Sequence, residues 1–468
     1  MSVFFSGSEA RLGSLGIAAF LPSLPLPNII AEWAAILPLV CHLASQRDDY
    51  ITTGDVALRG RLSIGLFPRL GTLSGLARLL EKGTKYLDRA STRGGSSRMV
   101  WDVKWGSVFP CANGAACTAI SMCLMNRSTN LPQRMPETRP REPRTDHCEK
   151  PFQQNESTVR VHDSARDKSY DKDLKERHAK ADDNRRYQIL HVYQLYRKPA
   201  QHSLRRLIDE LYVSLPGQII WFVFLLCIAI FLCLIGCYGS AALIFCTSIS
   251  ELVGLNIIIR RPAGYLTNNE THDACMLVAS HENATEWHLY VGSRAIVDTL
   301  LNKPMFVVPS GRSAYLAAHW FWFANLLQFA AMTFVAAQKG WDGVSMVVLL
   351  AIHWALRWSP CGRNLAHDWL EREGVDAEVR SFEFGGRHAM MGAIQLFSGD
   401  VTTGWMDNIL APHPRREAWL KRLRGEELTG SFNAHDAKWL EYTTEASLAS
   451  AEMLKVMVDV SDKCQASV

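Results

Sequence analysis

The chain has 468 residues, 48% of them hydrophobic and 21% charged, with a formal net charge of +4. That length admits two or three domains, and so small a charge over it excludes a general nucleic-acid-binding surface. Twelve cysteines without one C-x-x-C pair exclude the common zinc ribbons and thioredoxin-type redox motifs, so the thiols read as reduced and structural.

Residues 1–45 form an apolar N-terminal segment, "LPSLPLPNIIAEWAAILPLVCHLAS". Pro22, Pro25 and Pro27 remove amide donors and delay helix formation. A helix over Ile29–Ser45 could span a membrane, with Glu32 and Trp33 at its outer end. The prolines also break the apolar core that a cleavable signal needs. Residues 46–126 read as a weakly structured soluble region, including an uncharged run of mostly small residues, Trp105–Asn126. Residues 127–210 are a charged linker, poor in large apolar side chains. It is expected to be disordered, with helix between about Asp171 and Leu190.

Residues 211–261 hold the strongest apolar signal. From Leu211 to Ser250 there is no formal charge, and one straight helix of that length would be about twice the hydrocarbon thickness. "GCYGS" (Gly236 to Ser240) can break it into spans of about Gly217–Ile235 and Ala241–Ile259. Glu251 falls within the second span and is the best intramembrane candidate for function; alternatively it sits near the headgroups. Residues 262–312 begin a soluble α/β domain, with strands Cys275–Ser280, Thr285–Val291 and Met305–Val308 and a helix from the Ser293 cap to about Leu301.

Residues 313–360 form a second hairpin, "LAAHWFWFANLLQFAAMTFVAA" and "WDGVSMVVLLAIHWALRW", joined by the polar knot "QKGWDG". Trp320, Trp322, Trp341, Trp354 and Trp358 lie near the run ends, where indole rings favour the membrane interface. A helical hairpin buried in a soluble core is the alternative, but neither run shows a polar stripe. Residues 361–468 complete the domain with a helix stopped at Gly374, a strand Ala377–Phe384, a helix in "GRHAMMGAIQLFSG", two short helices around the prolines of "GWMDNILAPHPRREAWLKRL", and a long C-terminal helix.

Basic residues support hairpin pairing. Arg47, Arg197, Lys198, Arg205, Arg206, Arg260, Arg261, Arg312, Arg357 and Arg363 all fall on one side, which the positive-inside rule makes cytosolic. The opposite side holds Arg11 and the two tight tips, with Lys339 the only lysine there. Sequons at Asn126, Asn155, Asn269 and Asn283 then face the cytosol and stay bare.

Catalytic motifs are absent: no G-x-G-x-x-G, Walker loop, H-E-x-x-H or G-x-S-x-G occurs, and no metal or cofactor is expected. His319 and His353 lie in paired spans, at depths differing by roughly 9 Å, too far apart for one metal. With Glu251 they are the candidate acid–base groups. Arg387 and His388 follow Gly385-Gly386 at a helix start, an arrangement that could hold an anion; an ordinary strand-to-helix turn is the plainer alternative.

The segments "LYVGSRAIVDTLLNKPMFV", "FVAAQKGWDGVSMVVLL", "WLEREGVDAEVRSFEFGGRHAMMGAIQLFSG" and "WMDNILAPHPRREAWLKRL" resemble a group of multi-pass membrane proteins from filamentous ascomycete fungi. The resemblance covers roughly residues 210–425. That group has no established activity, so it implies no catalytic residues; some members are encoded near secondary-metabolite genes. The expectation is an α-helical membrane protein with about five transmembrane helices in hairpins and a small cytosolic α/β domain built from two separated segments. It would act as a scaffold, sensor or accessory subunit, with the lipid bilayer and protein partners of the cytosolic domain as its contacts. A membrane enzyme on a lipophilic substrate and a small transporter are the alternatives, in an endomembrane or the plasma membrane.

Overall fold

The computed structural model describes residues 26–45, 48–92, 95–128, 131–136, 187–198, 215–270, 272–338, 340–358, 365–399, 402–427 and 432–465. The region expected to be helical, Asp171 to Leu190, lies outside them up to residue 186, as does the sequon at Asn155.

Helix α1 (Asn28–Ala44) starts directly after Pro27, as the proline argument requires. Residues 46–126 depart from expectation. They form α2 (Asp49–Arg59), α3 (Thr72–Lys82), α4 (Thr84–Thr92), strands β1 (Met99–Asp102) and β2 (Val108–Pro110), and α5 (Gly114–Arg127). Their apolar positions are short and often small, such as Ala57, Cys111, Ala116 and Cys117, yet all four are buried. Next come β3 (Gln133–Arg134) and β4 (Gln188–Arg197). Strand β4 falls inside the expected linker and pairs on both edges. Every residue from Leu190 to Leu195 is buried, so packing on two faces orders this stretch despite its charged neighbours.

The apolar helices follow as α6 (Leu215–Ile235) and α7 (Tyr238–Leu255), then α9 (Arg312–Gln338) and α10 (Trp341–Trp358). Three of these, α6, α7 and α9, are long and apolar enough to cross a membrane. The count reaches four if α1 and α2, bent by 83° at their junction, make one broken span; α10 is a shorter apolar helix. Between α7 and α9 lie β5 (Ala274–Ala279), β6 (Glu286–Gly292) and α8 (Arg294–Leu301). Met305–Val308, expected to be a strand, contributes a single bridge from Val307 to Arg260. The C-terminal part holds α11 (Leu365–Glu373), β7 (Val375–Phe384), α12 (Arg387–Ser398), a 3-10 turn at Gly404–Met406, α13 (Pro414–Leu423) and α14 (Ala434–Gln465).

The strands form one mixed sheet in the order β2-β1-β5-β6-β4-β7-β3. The domain therefore draws on four stretches of chain and not on two. Neighbours β4 and β6 are parallel, with His191 opposite His288 and Tyr193 opposite Tyr290. Strand β7 runs antiparallel to β4 and places Ser381 opposite His191. Side chains alternate across the sheet, so each face has its own core. One holds Trp101, Leu277, Trp287, Leu289 and Phe382 against α12, α13 and α14. The other holds Val100, Met276, Tyr193 and Tyr290 against α3, α5, α8, α11 and the first half of α9. Ala314, Ala317, Ala318, Phe321 and Ala324 of α9 belong to that same core. One apolar cluster thus runs without interruption from the sheet into the apolar bundle.

The two hairpin tips meet. The carboxylate of Asp342 accepts the amides of Gly239 at 2.7 Å and Ser240 at 2.8 Å and the Ser240 hydroxyl at 2.6 Å. It caps the positive N-terminal end of α7. A Cβ on Gly343 would stand 2.7 Å from the Ala35 amide nitrogen, so this glycine lets α10 cross α1 at backbone contact.

Candidate functional site

Glu251 of α7 is half-buried and engaged with backbone. Its Oε1 accepts the amides of Ile64 at 3.3 Å and Gly65 at 2.9 Å. These belong to the segment joining α2 to α3, which enters the bundle. Leu62, Ile64 and Phe67 are buried, and Phe67 packs with Leu243, Met332, Val335 and Met346. The Gln328 amide donates to the Pro68 carbonyl at 2.6 Å. Irregular backbone at such depth leaves polar groups without water, and these two side chains satisfy them.

His319 and His353 are not brought together. The exposed His319 ring meets the Tyr315 carbonyl at 2.9 Å one turn away on its own helix. The His353 ring packs against Phe67 with centroids 6.5 Å apart. Arg387 donates to the Asn283 side-chain oxygen at 3.0 Å, tying the α12 start to the β5–β6 loop. His388 points the other way, edge-on to Trp419 and Trp439 at 5.6 and 5.1 Å. Arg387 and His388 therefore do not converge on one anion.

A polar cluster lies elsewhere, on the sheet face that packs against α5. His191 and His288 sit on paired strands with rings stacked at 5.4 Å. His191 Nδ1 meets the Ser381 hydroxyl at 2.8 Å, and His288 Nδ1 meets the Tyr193 hydroxyl at 3.2 Å. With both Nδ1 atoms engaged, both Nε2 atoms approach the same oxygen of Glu286, at 3.3 Å for His191 and 3.9 Å for His288. Both imidazoles are 5% exposed, whereas the Glu286 side chain is 55% exposed, so the cluster reaches solvent through its acid.

Burial, then the Arg98 guanidinium, push the His288 pKa down to about 3, with Glu286 opposing. The hydrogen bond from His191 holds Glu286 below the usual carboxylate range. Burial raises the Tyr193 phenol to about 12, so it stays a neutral hydroxyl. Ser381, His191 and Glu286 form a hydroxyl–imidazole–carboxylate chain, an arrangement suited to moving a proton from the hydroxyl. Among the described residues no three His, Cys, Asp or Glu groups are spaced to hold a metal ion.

A signal for this cluster was present in the chain. "LHVY" and "WHLY" repeat a His-x-Tyr step, and parallel pairing places the two steps side by side. The charged stretch before β4 hides the strand that brings the two steps together.

No family model, curated protein or solved structure matches the chain.

Proposed function

We propose that the chain is an integral membrane protein of five spans whose α/β domain works in the cytosol as a sensor or accessory subunit, rigidly seated on the bundle. Large apolar side chains exposed on α1 (Ile29, Trp33, Ile36), α6 (Ile220, Phe231), α9 (Leu316, Phe323, Leu326) and α10 (Val348, Ile352) support the five-span reading. Side chains of this kind across four helices suit lipid contact, since soluble surfaces rarely expose large apolar patches. The basic residues flanking the hairpins favour a cytosolic domain.

The observation that carries the reading is the engagement of Glu251 and Gln328 with buried backbone. Groups that would line a transport path or supply intramembrane acid–base chemistry instead hold a re-entrant segment in place. Glu251→Leu leaves two amides without an acceptor, at a cost of roughly 1–3 kcal/mol each. Glu251→Gln keeps one acceptor oxygen and loses less. Thermal unfolding in lipid nanodiscs is expected to rank wild type above Glu251→Gln above Glu251→Leu. Identical melting of all three would overturn this assignment and return Glu251 to a functional role.

A second reading is favoured by one observation, the Ser381–His191–Glu286 chain: hydrolytic or acyl-transfer chemistry on the sheet. It predicts labelling by a fluorophosphonate probe that disappears in Ser381→Ala and weakens in His191→Gln. Labelling absent from the wild type, or indifferent to Ser381, rejects it.

A further inference from the structure

Beside the start of α5 lies a cavity of about 300 Å³, bounded by α2, α4 and the segment after α8. This is at the small end of ligand pockets, which span ~300–1,000 Å³. Asn113 stands at the cap position of the 14-residue α5 but makes no side-chain cap. Its side-chain nitrogen donates to the carbonyls of Thr299, Leu300 and Lys303 at 3.0, 3.0 and 2.7 Å, and its oxygen faces the Met305 amide at 3.4 Å. The residue that would normally close the helix end is turned toward α8. Gly114, Ala115 and Ala116, which open the helix, line the cavity, and no acceptor for their amides occurs among the described residues.

Ser96 supplies the second observation. It lines the same cavity and is 2% exposed, and its hydroxyl has no hydrogen-bond partner. A Cβ on Gly114 would collide with the Ser96 carbonyl, so glycine alone lets this serine sit against the helix start. A buried hydroxyl without a partner costs about 1–3 kcal/mol, which an acceptor placed in the cavity would recover. Uncapped amides and an unpartnered hydroxyl ask for an anionic oxygen.

The rest of the lining sets the remainder of the ligand. Ala57, Leu87, Pro304, Met305 and Phe306 give apolar walls. No Lys or Arg lines the cavity among the described residues, and the exposed Asp88 stands at its margin. A dianion such as phosphate would meet that carboxylate without a compensating cation. From this geometry we infer that the cavity binds a small organic monocarboxylate, its carboxylate on the α5 start and Ser96, its apolar body against Leu87 and Phe306.

This site deepens the sensor reading and rests on it for the use made of the ligand. Occupancy is measured separately, so failure here and failure of the Glu251 ranking are distinguishable. The test is equilibrium dialysis of phenylacetate against the full chain in nanodiscs, with empty nanodiscs subtracted. Phenylacetamide serves as the uncharged control of the same shape. Saturable phenylacetate binding is expected, about five-fold or more tighter than that of the amide, the scale of one charge–dipole contact. Ser96→Ala should weaken phenylacetate several-fold. Ser91→Trp, from the α4 wall, should abolish binding while the melting temperature stays near wild type. Absence of saturable binding, equal binding of acid and amide, or binding indifferent to Ser96→Ala would each overturn the inference. Should Ser91→Trp fail to fold, the acid–amide ratio and Ser96→Ala decide it alone.

Discussion

His388 shows how one residue can carry a stability signature without belonging to a site. Burial first, then the cations Arg415, Arg387 and Arg416, push its pKa down from 6.5 to about 4. The folded chain holds this imidazole neutral where the unfolded chain would protonate it. Stability is therefore fully present above about pH 6.5 and is lost as pH falls toward about 4, at ~1.4 kcal/mol per unit at most. His288, lowered to about 3, acts in the same direction. Melting curves taken between about pH 7 and pH 5 should show the decline, and His388→Phe, which keeps the ring packing, should make it shallower. A melting temperature that rises on acidification would contradict this. The Gly-Gly-Arg-His context admits an anion site at His388, with an ordinary strand-to-helix turn as the plainer reading. Only the fold reveals that its ring turns between two tryptophans while Arg387 turns to Asn283.

At the scale of elements, the hairpin tips give the sharpest test. Helix α7 begins at Tyr238 with no cap from its own preceding residue, and Asp342 caps it from α10 instead. Asp342→Ala would strand two buried amides, a loss of roughly 2–5 kcal/mol, while the Ser240 hydroxyl keeps the Asp342 carbonyl and the Ser345 hydroxyl. Asp342→Asn keeps an oxygen acceptor and should fall between. Chemical or thermal denaturation in detergent measures the order; Asp342→Ala melting with wild type would show that the tips do not hold one another. The tip turns and apolar helices were legible because glycines and hydropathy are local signals. Strands β5, β6 and β7 were legible from alternation and flanking turns. Strand β4 was not, because charged residues on its N-terminal side masked a ten-residue strand that pairs with β7 along its length and with β6 over Ile189–Leu195. The elements of residues 46–126 were also hidden, since short helices packed through Ala, Gly and Cys give weak periodicity.

For the whole molecule, what escaped the sequence is non-local. The sheet interleaves strands from four stretches of chain, and two apolar hairpins interrupt them. No pattern within a window of residues announces that β1 pairs with β5 or that β4 lies between β6 and β7. The candidate cluster inherits that difficulty: Ser381, His191 and Glu286 come from three strands separated by up to 190 residues. The two tips meet through Asp342, as hairpins turning on one side require. In the proposed topology the tips and the α/β domain face opposite sides of a membrane. The most direct measurement places single cysteines at Gly340, Trp341, His281 and Glu426 in a chain otherwise free of thiols. An impermeant maleimide is then applied to vesicles that expose the non-cytosolic face. Labelling is expected at Gly340 and Trp341 and none at His281 or Glu426 until the vesicles are opened. Labelling at His281 or Glu426 in sealed vesicles, with glycan on Asn269 or Asn283, would contradict it and put the domain outside the cytosol.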